Sequence, residues 1–284
     1  SAMKLNDVGF VVVWLLAETG LVITNKHLLN GDFPAPFALA LINLAGVVIS
    51  MLLLRPKSYR NMLMCVARSI PMAVDTGAFT MALFSLPVSS CAIFRSSVLN
   101  IFLILSSTEG VGRSNFSSSY PVQTCFSLTV GTIIVLLMSK VSVPGIVAAT
   151  VSTLALIGKS YLQRSNQNDD DGVEKEGYLF SSSFGAVWSA LAAFMLMIPM
   201  TLYFNSGILT STSKKAAIGL TISMILSAIA TSLSTVVGER MFERQDPNTL
   251  ASPVGVLGVV VAAVGIFAFE RDQVPIGWVL GLVI

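Results

Sequence analysis

Nine apolar runs, each close to the length of a bilayer-crossing helix, follow one another along the chain, at 8–29, 36–54, 61–85, 88–108, 120–139, 142–162, 178–209, 216–238 and 249–269. A spanning helix needs about 20 mostly apolar residues, so the pattern predicts an all-α membrane protein. The runs account for a chain that is 54% hydrophobic and only 11% charged, where an ordinary soluble domain carries about 25% charged residues. Turn-forming stretches separate them: Gly31-Asp32-Phe33-Pro34-Ala35-Pro36, Arg55-Pro56-Lys57, Leu86-Pro87, Gly112-Arg113-Ser114-Asn115 and Asp246-Pro247-Asn248. A tenth run starts at Pro275 and reaches Ile284 after about 10 residues, half the hydrocarbon thickness as a helix, so the chain is expected to stop inside its last helix. The one long polar segment, 163–177 with Asn168-Asp169-Asp170-Asp171-Gly172, has nothing to bury and is expected to be flexible.

Basic residues orient the helices. With the N-terminus in the cytosol, that side receives Lys4, Arg55, Lys57, Arg60, Arg113, Lys159, Arg164, Lys175, Arg240 and Arg244, and the other side receives Lys26, Lys140, Lys214, Lys215 and Arg271. This is the positive-inside bias of a multi-pass protein. The fourth and ninth runs echo each other, each following a small-residue turn and closing on an acid, Glu109 and Glu270. Five helices per half is an odd number, so a duplicated unit inserts upside down relative to its copy. The expected architecture is a single ten-helix, 5+5 inverted-repeat domain with repeats at about 8–139 and 142–284, and a substrate site near the midplane between them.

Several function classes drop out. A net charge of +2 with no basic stripe excludes a nucleic-acid footprint. Cys65, Cys91 and Cys125 lie in apolar runs and match neither a metal spacing nor a disulfide framework, so they read as buried thiols. The lone His27 is no metal signal, and no metal or cofactor is expected. The His-Glu-x-x-His and Gly-x-Gly-Asp signatures of intramembrane enzymes are absent, which argues against an enzyme. A carrier and a non-transporting scaffold or receptor remain, and a homodimer is left open.

Charged and amide side chains inside apolar runs are the site candidates, because each is costly in hydrocarbon. Arg95 interrupts PVSSCAIFRSSVLNIFLIL about 10 Å into its helix. Its planar guanidinium suits phosphate oxygens taken two at a time; the alternatives are a structural ion pair or snorkelling to the headgroups. Asn100 returns to the face of Arg95. Glu18 lies about 15 Å from the start of its run, with Asn25 two turns further along. Glu18 is expected either to pair with a basic residue or to take part in transport. Lys26 and His27, near the helix end, are expected to reach the interface. Asp75, beside Thr76 and Gly77, is too far from Arg68 on its own helix and needs a partner elsewhere. Tyr203 and Asn205 offer a stacking face and a donor–acceptor pair for a nucleobase, or alternatively an aromatic belt and an interhelical amide bond. Gly255, Gly258 and Gly265 allow either close helix packing or a ligand's approach, and Ser252 can donate to a phosphate.

Trp14 to Leu29, WLLAETGLVITNKHLL, followed by Phe33-Pro34-Ala35-Pro36, resembles the first helix and loop of the nucleotide-sugar and triose-phosphate transporter families of the drug/metabolite transporter superfamily. Ala92 to Glu109 resembles their fourth helix with its central basic residue. Tyr203-Phe204-Asn205-Ser206 resembles the Phe-Tyr-Asn-Asn motif of GDP-mannose transporters, and Ser252-Pro253-Val254-Gly255-Val256-Leu257 sits where they carry Ser-x-Val-Gly-Ala-Leu. The chain departs where the family continues with Asn-Lys or Lys-Asn, reading Gly258-Val259-Val260. The resemblance implies exchange of a cytosolic nucleotide sugar for a luminal nucleoside monophosphate across the Golgi or endoplasmic-reticulum membrane. The missing basic residue weighs against triose phosphates, which remain the alternative substrate class with other organic anions.

Overall fold

The computed structural model describes residues 5–31, 33–53, 62–96, 142–168, 184–205, 216–244, 256 and 258–270. All their regular structure is helical. In chain order the helices are α1 (Leu5–Asn30), α2 (Pro36–Leu53), α3 (Met62–Ser85), α4 (described over residues 88–96), α5 (Val143–Asn168), α6 (Phe184–Asn205), α7 (Ala216–Arg244) and α8 (258–265), the last widening into a π turn at Ile266–Glu270. Eight of the nine expected runs are therefore helical where described. The fifth run, the end of the fourth, Cys125 and the tenth run lie outside the described residues. Two helices outrun their apolar stretch: α5 continues to Asn168 and α7 to Arg244. Gln, Arg, Glu and Met are good helix formers, so a helix propagates past the apolar window that revealed it.

Among the described residues, Leu220–Gly238 of α7 is long and apolar enough by itself to cross a membrane. Pro36–Ser50, Val143–Lys159, Ala190–Pro199 and Gly258–Phe269 are shorter apolar stretches. In α1 and α3 the charged and polar residues, among them Glu18, Lys26, Arg68 and Asp75, break the apolar window.

Local chemistry sets the ends. Gly31 closes α1, the Phe33 N–H reaches back 3.0 Å to Leu28 O, and the Phe33 ring is buried in the core. Pro36 opens α2 at the first helical position, where its missing N–H costs nothing. Ser142 is the N-cap of α5: its Oγ accepts from Gly145 N–H at 3.2 Å and donates to Ser85 O at 2.9 Å, tying the start of α5 to the end of α3. Polar side chains within the helices turn back on their own carbonyls, as Thr24 does to Gly20, Thr76 to Met72, Thr153 to Ala149 and Thr231 to Ser227.

Two antiparallel helix pairs form the frame. In α1 and α7, Trp14 meets Gly238, Glu18 meets Ser234 and Asn25 meets Ser227, a constant register along the pair. In α3 and α5, Asp75 meets Ser152 and Ser85 meets Ser142. Helix α2 packs on α7 and α6, and α6 also packs on α3. Exchanging α1 with α5, α2 with α6 and α3 with α7 maps this set of contacts onto itself, the α2–α3 contact excepted. Glycines admit the closest approaches: a Cβ on Gly46 would lie 2.7 Å from Ala228 Cβ, and one on Gly145 would lie 2.6 Å from Leu86 Cγ. Inward surfaces carry small and polar residues as well as Leu and Phe. Large apolar side chains such as Leu16, Ile49, Val143, Leu154, Met195 and Phe267 face outward.

Candidate functional site

The sequence places one guanidinium on α4, and the fold brings three helices to it. Arg95 Nη2 donates to Asp75 Oδ2 on α3 at 3.2 Å, and Nη1 donates to Ser152 Oγ on α5 at 3.3 Å. Ser152 in turn donates to Asp75 Oδ1 at 2.7 Å, closing a triangle across α3, α4 and α5. The Phe79 ring, one turn beyond Asp75, lies under the guanidinium with its centroid 4.0 Å from the Arg95 Cζ, a cation–π contact. Glu18 of α1 also stands within electrostatic reach of Arg95, as does Cys91, a buried thiol. The Arg95 and Asp75 side chains keep 18% and 13% of their surface accessible, so this ion pair is recessed without being sealed.

Of the two partners open to Asp75, another helix or water, the structure supplies the first: Arg95 of α4 pairs with it. Glu18, by contrast, accepts a hydrogen bond from Ser234 on α7, and no salt bridge joins it to a basic residue among the described residues. The two exchange-related helix pairs are thus each joined by an acid and a serine, and among the described residues only the α3–α5 pair is salt-bridged to a guanidinium as well. Asn25 belongs to a separate buried cluster. Its Oδ1 accepts from Asn43 Nδ2 at 3.3 Å and from the Ser227 hydroxyl, which also lies 2.7 Å from Asn43 Oδ1. One hydroxyl has one proton, so Ser227 serves one amide oxygen at a time. Asn25 Nδ2 is buried without a hydrogen-bond partner among the described residues.

Lys26 corrects the interfacial expectation. It is 7% exposed, and its ammonium donates to Leu83 O at 2.6 Å and Leu86 O at 2.9 Å. Burial is tolerated because these carbonyls sit at the C-terminal end of α3, where unfulfilled acceptors and the helix dipole favour a cation. Lys26→Met removes the donor and leaves those carbonyls short. We expect a loss of about 1–3 kcal/mol, read as a lowered Tm of the purified protein; an unchanged Tm would show that the cap contributes nothing.

Tyr203 is 81% exposed near the end of α6. Its ring is exposed, which fits the aromatic-belt alternative. The Asn205 side chain, and Asn100, Ser252 and Gly255, lie outside the described residues. Gly258 and Gly265 pack against α4: a Cβ at Gly258 would run into the Ser96 side chain, and one at Gly265 into Val88. Close helix packing is therefore their role. Sequence reasoning missed Ser152, Ser227, Ser234, Asn43 and Phe79. Asn43 carried a signal, being a lone amide in the apolar PFALALINLAGVV and so in need of a partner.

Comparison with models of known protein families finds no match, and comparison with curated proteins finds no relative.

Proposed function

We propose that the chain is a membrane carrier for phosphorylated organic anions, exchanging a cytosolic nucleotide sugar for a luminal nucleoside monophosphate within a ten-helix inverted-repeat bundle. The observation that carries this reading is the recessed Arg95 between α3 of the first half and α5 of the second. It is a bidentate anion donor held where the halves meet, partly accessible and compensated by an acid. The contact set that survives exchange of the halves supports an inverted repeat. Large apolar side chains on the outside, with amides, serines and charges inside, support a lipid surrounding, since in water that surface would be an association hazard.

Ligand-dependent thermal stabilisation tests the reading. GMP, UMP, CMP, their sugar conjugates and triose phosphate are added separately to purified protein. A ligand at about 100 times its Kd stabilises the native state by about 2.7 kcal/mol, so one nucleotide class should raise the Tm distinctly. Stabilisation by triose phosphate alone would move the assignment to that class. No response to any of them would favour a scaffold.

A further inference from the structure

The Arg95 fork is already in use. Its two terminal nitrogens, the pair that would grip two phosphate oxygens, point instead at Asp75 Oδ2 and Ser152 Oγ. Both contacts, at 3.2 and 3.3 Å, are longer than the about 2.7–2.9 Å of a tight charge-assisted bond. The shorter bond to Asp75 comes from Ser152, at 2.7 Å. A serine of the second half thus holds the carboxylate beside the guanidinium, while Phe79 covers one guanidinium face and both charged side chains keep accessible surface.

We propose that Asp75 is an internal stand-in for the transported anion: it occupies the Arg95 fork in the empty carrier, yields it when a phosphorylated anion binds, and takes it back on release. This rests on the anion-carrier reading above. Two consequences follow from charge and mass action. Anion affinity is lowered by the fraction of carriers in which the fork is free. The empty carrier holds no uncompensated buried guanidinium, whose cost would otherwise oppose its return, so net transport accompanies exchange. The exchange-related pair Glu18–Ser234 has the acid and the serine without a salt-bridged cation among the described residues, so among them the device is found in one pair.

The experiment compares wild type, Asp75→Asn and Ser152→Ala as full-length purified protein, with labelled GMP and inorganic pyrophosphate as probes in equilibrium binding, and melting curves on the same samples. Should the fork be free in about one carrier in ten, Asp75→Asn binds about tenfold tighter, and Ser152→Ala shifts binding in the same direction by less. In proteoliposomes, net efflux into nucleotide-free buffer falls relative to exchange in Asp75→Asn. Equal or weaker binding by folded Asp75→Asn overturns the proposal, even where wild type binds well and the carrier reading stands. If Asp75→Asn does not fold, Ser152→Ala decides: unchanged or weaker binding overturns the proposal. If neither probe binds any of the three proteins, the anion-carrier reading fails and this inference fails with it.

Discussion

On the carrier reading proposed above, Arg95→Ala should abolish counterflow of labelled nucleotide sugar in proteoliposomes, and Arg95→Lys should lose most of it. Lysine keeps the charge but presents a point ammonium in place of a planar fork. It forfeits the two-nitrogen edge that now faces Asp75 and Ser152 and the flat stacking on Phe79. The alanine variant also strands Asp75. Breaking a fully buried pair by removing one partner costs about 3–5 kcal/mol, and less for a pair that keeps some accessible surface, so lost transport by this variant alone does not separate a binding role from a folding role. The double variant Arg95→Gln, Asp75→Asn leaves neither member of the pair as an unpaired charge and keeps polar groups facing Ser152. It should melt close to wild type and still fail to exchange. Wild-type counterflow by a well-folded Arg95→Ala would show that the arginine merely completes an ion pair, and the anion site would have to be sought elsewhere.

Arg95 and Asp75 were legible as candidates because a charge inside an apolar run demands compensation wherever the run ends up. That each is the other's partner was not legible. They sit on different helices, and their meeting depends on how α3, α4 and α5 pack. Ser152 and Ser234 gave no warning, since a serine in an apolar helix commonly bonds its own backbone, as Ser232 does to Ala228 O. Lys26 misled for a related reason: its place near the end of α1 made the interface the natural destination, and the acceptors that hold it inside belong to α3 and to the turn after it, about sixty residues away in sequence. Helix positions followed from apolar length, and helix ends did not wherever a polar helix former carried the helix onward, as at Gln163–Asn168.

Gly258→Ala should be clearly destabilising, and Ser96→Gly should rescue it. Helices α4 and α8 cross antiparallel, with Gly265 against Val88 and Gly258 against Ser96. The resemblance to nucleotide-sugar carriers raised the expectation of a basic side chain at this place in the chain, but the space in front of Gly258 is filled by Ser96, the residue next to Arg95. Any Cβ there forces the helices apart. Overpacking of this kind costs about 1–3 kcal/mol and occasionally more, and the strain falls one residue from the guanidinium, so anion binding should weaken along with stability. With the Ser96 side chain removed, the next neighbour of a new Cβ is Ala92 O at 3.6 Å, an ordinary contact. Both single variants should lower the Tm: alanine through overlap, and glycine through the cavity it opens and about 0.5–1 kcal/mol of helix propensity. The double variant should be more stable than the sum of the two predicts, a coupling of about 1–3 kcal/mol for side chains in direct contact. Additive losses would mean that Gly258 and Ser96 are not in contact, and the α4–α8 crossing that positions Arg95 would have to be redrawn.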